Sequence, residues 1–200
     1  LIANWKMHGD RARVSAWAYA VNAALAQLPS PPRTVLCPPQ PYLATARAAL
    51  PHNAQLMLGA QQCHHEKSGA FTGEVGAAML ADLGCRYVLV GHSERRAQGM
   101  SDAQVVASAE AALQAGLVPV ICVGESRAAY EAGQTTQMLD AQLIPLRALS
   151  STQYLVAYEP IWAIGSSKTP QMQEIAAAHR HSKSVLGSAT PVLYGGSVNA

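Results

Sequence analysis

Seven short apolar runs recur along this chain, and their rhythm constrains the fold more than any other feature. They occupy residues 1–5, 34–37, 55–60, 87–91, 118–123, 154–158 and 191–194. Their starts are spaced by about 20 to 40 residues, and the stretches between them are Ala-rich with helical periodicity. This is alternation of strand and helix. One interval shows the logic. Ser101 and Gln104 form the ends of a capping box, and Val105, Ala109, Ala112 and Leu113 then fall on one helical face. Gly116 supplies a left-handed stop, Pro119 follows, and the run through Val120, Ile121, Cys122 and Val123 begins. A second helix is expected over residues 15–28, ending before Pro29.

The runs are continuously apolar rather than alternating, so both faces of each strand are covered, as in a parallel sheet flanked by helices. Two α/β architectures satisfy this: an open doubly wound sheet and a (β/α)8 barrel. The doubly wound dinucleotide fold would want G-x-G-x-x-G after the first strand, but Asn4-Trp5-Lys6-Met7-His8-Gly9 stands there. No P-loop pattern occurs. Polar residues cluster just after several different strands, which favours the barrel.

The chain has 200 residues, half of them apolar and 13% charged, which suits one globular domain. A net charge of +2 from scattered Lys and Arg argues against nucleic acid as a partner. No apolar stretch reaches 18 residues, so no membrane span is expected. Cys37, Cys63, Cys85 and Cys122 form no C-x-x-C pair and read as buried free thiols of a reducing compartment. The first residues do not read as a signal peptide, so the expected location is cytoplasmic. The chain opens on Leu1 rather than on an initiator methionine, so its natural start is expected to lie outside these residues.

Four strand ends carry candidate chemistry: Asn4-Trp5-Lys6, Gly91-His92-Ser93-Glu94-Arg95-Arg96, Ala157-Tyr158-Glu159-Pro160-Ile161-Trp162-Ala163-Ile164-Gly165, and Tyr194-Gly195-Gly196-Ser197-Val198-Asn199. Singly, each has a plain explanation: a solvated lysine, a structural histidine, a turn-capping glutamate, a tight glycine turn. Together they place a base, an electrophile, a cation and an anion cradle at the same end of parallel strands.

In this order these blocks resemble the signature segments of the triosephosphate isomerase family, and Gly69-Ala70-Phe71-Thr72-Gly73-Glu74 resembles that family's dimer-contact loop. The resemblance spans the whole chain. It implies a (β/α)8 TIM barrel, a small phosphorylated three-carbon sugar as substrate, no cofactor, no metal and a homodimer. It implies that Glu159 is the catalytic base and that His92 is the electrophile, acting as neutral imidazole at the start of a short helix from Ser93-Glu94. Lys6 supplies positive charge to substrate and oxyanion. Asn4 orients Lys6 and the substrate, Glu94 pairs with Lys6, and Cys122 packs behind Glu159. Gly165, Ser166 and Ser197, with Asn4 and Lys6, match the phosphate-binding positions. Residues 160–169 resemble the family's mobile lid.

Departures from the family pattern are also present. The chain ends after the seventh strand, so the expectation is a single barrel domain without its eighth βα unit. Either residues are absent from this sequence or the barrel has an open edge. Ala3 replaces the usual Gly before Asn4, Met100 stands for Glu, and the lid is about two residues short.

Weaker signals give less. His64-His65-Glu66 is a poor chelate and reads as a polar loop. His179 and His181, two apart, are expected on the surface. A rival reading, a Schiff-base aldolase, would want a lysine on a later strand, and none is there. A degenerate barrel kept as a binding protein is the other rival, and the intact Lys6, His92 and Glu159 argue against it.

Overall fold

Strand and helix alternate as the sequence predicts. The computed structural model describes residues 1–164 and 169–196. Seven strands, β1 (Ile2–Asn4), β2 (Thr34–Cys37), β3 (Leu56–Ala60), β4 (Cys85–Val90), β5 (Val118–Val123), β6 (Leu155–Tyr158) and β7 (Val192–Tyr194), pair in parallel in chain order. The result is a curled parallel sheet with helices outside, the barrel-type arrangement that the sequence predicts. Among the described residues, β1 pairs only with β2 and β7 only with β6.

The continuously apolar strands are explained by two separate cores. Val35, Cys37, Tyr87, Leu89, Val120, Cys122 and Ala157 pack on the concave face. Their neighbours Leu36, Val88, Val90, Ile121, Val123, Val156 and Tyr158 face the helices. Successive residues point to opposite faces, so a strand buried on both sides shows no polar alternation. Burying a Leu or Val side chain contributes about 1.5–3 kcal/mol, which makes register along each strand strongly specified.

The helices are α1 (Arg11–Ala26), α2 (Leu43–Ala48), α3 (Ala77–Asp82), α4 (Ser93–Ala97), α5 (Asp102–Gln114), α6 (Arg127–Glu131), α7 (Thr135–Leu143) and α8 (Met172–Leu186). In α5 both halves of the Ser101–Gln104 capping box form, and Gly116 takes φ +76° after the last turn. The buried stripe is Val105, Ser108, Ala109 and Ala112, with Leu113 at its margin. The first helix starts four residues earlier than expected. Asp10 accepts the Arg13 N–H at 2.8 Å and caps it, ahead of any apolar periodicity.

His179 and His181 correct another expectation, since both are partly buried. The α8 helix packs against α7 on one side and β7 on the other, so two faces are covered. His181 Nε2 lies 2.8 Å from Asp140 Oδ1 on α7. The His179 ring meets Tyr158 edge-on at 6.4 Å. The four cysteines are buried and free. No described helix is long and apolar enough to cross a membrane.

Candidate active site

The site is built where β1, β4 and β6 end. Asn4 closes β1, and its Oδ1 accepts the Lys6 N–H at 2.9 Å. That bond holds Lys6 at φ +48°, the one positive φ among the described non-glycine residues. An L-residue there is strained by roughly 1–2 kcal/mol, and Asn4 helps to hold the turn in place. Gln61, just past β3, donates to the carbonyls of Lys6 at 2.8 Å and Cys37 at 3.1 Å. The backbone of Lys6 is thus pinned from two strands, leaving its ammonium to reach Glu94 Oε1 at 2.7 Å. The Lys6 hydrogen bond holds the Glu94 carboxyl below the usual carboxylate range.

His92 is buried and stands at the N-cap of α4. Its Nδ1 accepts the Glu94 N–H at 3.2 Å. An acceptor at Nδ1 leaves the ring proton on Nε2, which fixes one neutral tautomer. Nε2 lies 3.5 Å from Glu159 Oε1. Glu159 is 6% exposed, and its Oε2 accepts the Ser93 N–H at 3.1 Å. One short turn, His92-Ser93-Glu94, therefore arranges both the imidazole and the carboxylate.

The surroundings of Glu159 are tightly specified. The Glu159 N–H donates to the Val123 carbonyl at 2.7 Å. A Cβ on Gly124 would meet the Glu159 carbonyl oxygen at 1.8 Å, so only glycine fits there. Gln142 on α7 clamps Gly124 with two hydrogen bonds, 2.8 Å to its N–H and 3.0 Å to its carbonyl. A Cβ on Gly195 would crowd the Glu159 side chain at 3.1 Å. Cys122 lies beside the carboxylate, where burial first and the negative Glu159 second push its thiol well up.

Arg96 ties the turn to the rest of the sheet. It donates to Gly91 O at 2.8 Å and Cys122 O at 3.2 Å, and it pairs with Asp102 at the start of α5. Beyond Glu159, Glu125 is fully buried and accepts from Trp162 Nε1 at 2.7 Å and Tyr158 OH at 3.0 Å.

Asn4, Lys6, Gln61, His92 and Glu94 line a cavity of about 220 Å3. A larger cavity of about 480 Å3 lies at the opposite ends of the strands, near Leu28, Pro29 and Pro51, and no titratable group lines it. The smaller cavity is lined by the titratable groups Lys6, His92 and Glu94. No three His, Cys, Asp or Glu side chains among the described residues come together to hold a metal ion.

The structure thus brings Asn4, Lys6, His92, Glu94 and Glu159 to one end of the sheet. Gly165, Ser166 and Ser197 lie outside the described residues, as does part of the 160–169 segment. Gln61, Glu125 and Gln142 were not singled out in the sequence. Lone amides and a single glutamate carry no pattern to find.

A family model described as triosephosphate isomerase matches residues 1–200. The triosephosphate isomerase of Cupriavidus pinatubonensis is 45% identical over 210 residues, covering 99% of this chain and 84% of that protein. The one from Dechloromonas aromatica is 45% identical over 209 residues, covering 98% and 82%. That from Acidiphilium cryptum is 42% identical over 216 residues, covering 99% and 83%. With that identity over nearly all its length, this chain belongs to the triosephosphate isomerase family, enzymes that interconvert triose phosphates.

Proposed function

We propose that the isomerisation runs through Glu159, His92 and Lys6 in named roles. Glu159 takes the proton from the hydroxyl-bearing carbon beside the carbonyl of dihydroxyacetone phosphate. The C–H electron pair moves into the new carbon–carbon double bond, and the carbonyl π electrons move onto oxygen. The product of this step is an enediolate and a protonated Glu159. His92 donates its Nε2–H to the oxygen that becomes negative. Through the imidazole, the hydroxyl on the first carbon gives up its proton and the oxygen on the second carbon gains one; Glu159 then returns its proton to that second carbon as the first oxygen reforms a carbonyl, giving glyceraldehyde 3-phosphate. No redox change occurs, and no cofactor is required.

One observation carries this reading. A buried carboxylate and an imidazole whose free N–H is Nε2 stand 3.5 Å apart. A planar carbonyl–carbinol unit offers both groups an atom to act on, a proton for Glu159 and an oxygen for His92. Glu159 first has to leave the Ser93 N–H, which is a short side-chain movement. Lys6 sits across the cavity with a fixed positive charge for the anionic substrate, and Asn4 orients it. Gly165, Ser166 and Ser197 are proposed to complete the phosphate contacts, with the 160–169 segment as a lid.

We also propose a single cytoplasmic barrel domain acting as a homodimer. Phe71 in the 69–74 loop is 43% exposed and held against the His64 ring at 4.3 Å. Met7, next to Lys6, is 94% exposed. Two exposed apolar side chains flanking the site suit burial by a second copy. Sedimentation at micromolar concentration checks the dimer, and a monomer would end that part of the proposal. A coupled assay of triose phosphate interconversion, run beside Glu159→Gln, tests the mechanism. Full activity in that variant would remove Glu159 from it.

A further inference from the structure

Gln142 is buried in the last turn of α7, where Leu139 and Leu143 sink into the helix-facing core. Both ends of its amide act on one residue. Oε1 accepts the Gly124 N–H at 2.8 Å, and Nε2 donates to the Gly124 carbonyl at 3.0 Å. Only this orientation sets an acceptor against the N–H and a donor against the C=O. Gly124 is itself buried, one residue past the end of β5. Its N–H shares a peptide unit with the Val123 carbonyl, and that carbonyl accepts the Glu159 N–H at 2.7 Å. The two groups of a trans peptide point in opposite directions. One peptide plane is therefore held from two sides, by a helix side chain and by the backbone of Glu159. The Glu159 carbonyl oxygen also rests on this segment, since a Cβ on Gly124 would stand 1.8 Å from it.

We propose that Gln142 is a positioning residue for the isomerisation, acting through the 123–124 peptide on the backbone of Glu159. The inference rests on the proposed role of Glu159 as base. The physical argument is one of rigid transmission. A peptide unit is planar, so turning the Gly124 N–H also turns the Val123 carbonyl that holds Glu159. The close approach of Glu159 requires glycine at 124, and glycine is the residue with the least backbone stiffness of its own. The stiffness has to come from outside, and Gln142 on a packed helix supplies it. Without the amide, a buried N–H and a buried C=O lose the partners they have. Groups left in that state draw the backbone toward other partners. The Glu159 carboxylate is carried by the backbone that this movement shifts. Misplacement of a reacting group by about 1 Å lowers rate by up to about 100-fold. Lys6 and Asn4 are on β1 and its following turn, away from this peptide, so the effect falls on kcat rather than on KM.

The test uses the purified protein with Gln142→Met, Gln142→Glu and the control Glu159→Gln. kcat and KM for dihydroxyacetone phosphate are measured together with thermal unfolding, at about pH 6, where a buried carboxyl facing a carbonyl oxygen stays protonated. Gln142→Met keeps the length and bulk and loses both hydrogen bonds. Its kcat is expected to fall about 10-fold, with KM within about 2-fold. Gln142→Glu, when neutral, keeps one O–H donor and one C=O acceptor, so its kcat is expected to stay within about 3-fold of wild type. With substrate deuterated at the carbon that loses its proton, the isotope effect on kcat rises in Gln142→Met, because proton abstraction has become slower. Wild-type kcat in folded Gln142→Met overturns the proposal, whatever its melting temperature, because a purely structural glutamine gives that result. Equal losses of kcat in Gln142→Met and Gln142→Glu overturn it too, since hydrogen bonding would then not be what matters. If Gln142→Met does not fold, Gln142→Asn replaces it: its amide is one methylene too short for both bonds, and the same criteria apply. Failure of the underlying mechanism is separate: there, Glu159→Gln itself keeps its activity.

Discussion

Glu159 and Ser93 are joined by a single hydrogen bond, the Ser93 N–H to Glu159 Oε2 at 3.1 Å, which parks the carboxylate beside the His92 imidazole. The bond is made by backbone, so no substitution at Ser93 short of proline removes it. Glu159 has to be long enough both to reach this donor and to leave it for substrate. Glu159→Asp withdraws the carboxylate by about 1 Å and is expected to lower kcat by on the order of 100-fold. Glu159→Gln removes the proposed base and is expected to lower it by about 100- to 10,000-fold. Steady-state kinetics by coupled assay distinguish the two, and equal activity in all three proteins would exclude the base role.

His92→Gln tests the electrophile. Glutamine can still cap α4 through its side-chain oxygen, so the turn survives while the Nε2–H is lost. The expected result is kcat lowered by about 100-fold with cooperative unfolding retained. Loss of cooperative unfolding would instead make His92 a structural histidine.

Much of this site could be read from the chain because its residues come in runs. The strands were visible because two cores cover them, and Asn4, His92 and Glu159 stand directly at or after strand ends. The start of α1 was less legible. Its first turn, Arg11, Ala12 and Arg13, has no apolar stripe, and only the Asp10 cap marks it. The backbone of Lys6 was not legible at all, since nothing in Asn4-Trp5-Lys6 announces φ +48°. Gln61 and Gln142 act across 55 and 18 residues on single carbonyls and N–H groups. The Tyr130 hydroxyl donates to Glu174 across 44 residues. Contacts of this kind are fixed by the tertiary fold rather than by local pattern.

The positive φ of Lys6 makes a comparison of two variants lacking its ammonium informative. Lys6→Ala and Lys6→Gly both lose the ammonium and the exposed pair with Glu94, which is worth little in solvent. They differ in backbone. Glycine tolerates φ +48° and alanine does not, so Lys6→Gly is expected to be more stable than Lys6→Ala by roughly 1 kcal/mol. For a chain of this size that is about 2–4 °C in Tm. Identical melting temperatures would mean that the left-handed turn relaxes once the side chain is gone.

The four thiols are expected to be silent in the folded protein. Burial pushes Cys63 up to about 12 and Cys85 up to about 11, and it raises Cys37 and Cys122 well above the ordinary thiol value. Thiolate, not thiol, attacks a disulfide reagent. At pH 8 an aromatic disulfide reagent should find no rapidly reacting thiol in the native state, and four per chain in guanidinium. Fast release from the native protein would show that one of these strands opens locally.

His179 gives the stability a defined pH dependence. Burial lowers its pKa from the ordinary histidine value, and the nearby Lys183 adds to this, while the Leu193 carbonyl acts in the opposite sense. With the folded pKa below the unfolded one, the unfolded chain binds the proton more readily as pH falls. The contribution of neutral His179 is therefore complete above about pH 6.5, the unfolded value, and is lost as pH falls through the lower folded value. Thermal unfolding followed from pH 7.5 to pH 5 should show Tm falling across the acidic half of that range. His179→Gln keeps a donor for Leu193 without a titrating ring, so its Tm should fall less over the same interval. The difference between the two curves isolates His179 from the His181–Asp140 pair, which both proteins retain. Parallel curves would mean that the His179 ring accepts a proton in the folded state as easily as in the unfolded chain.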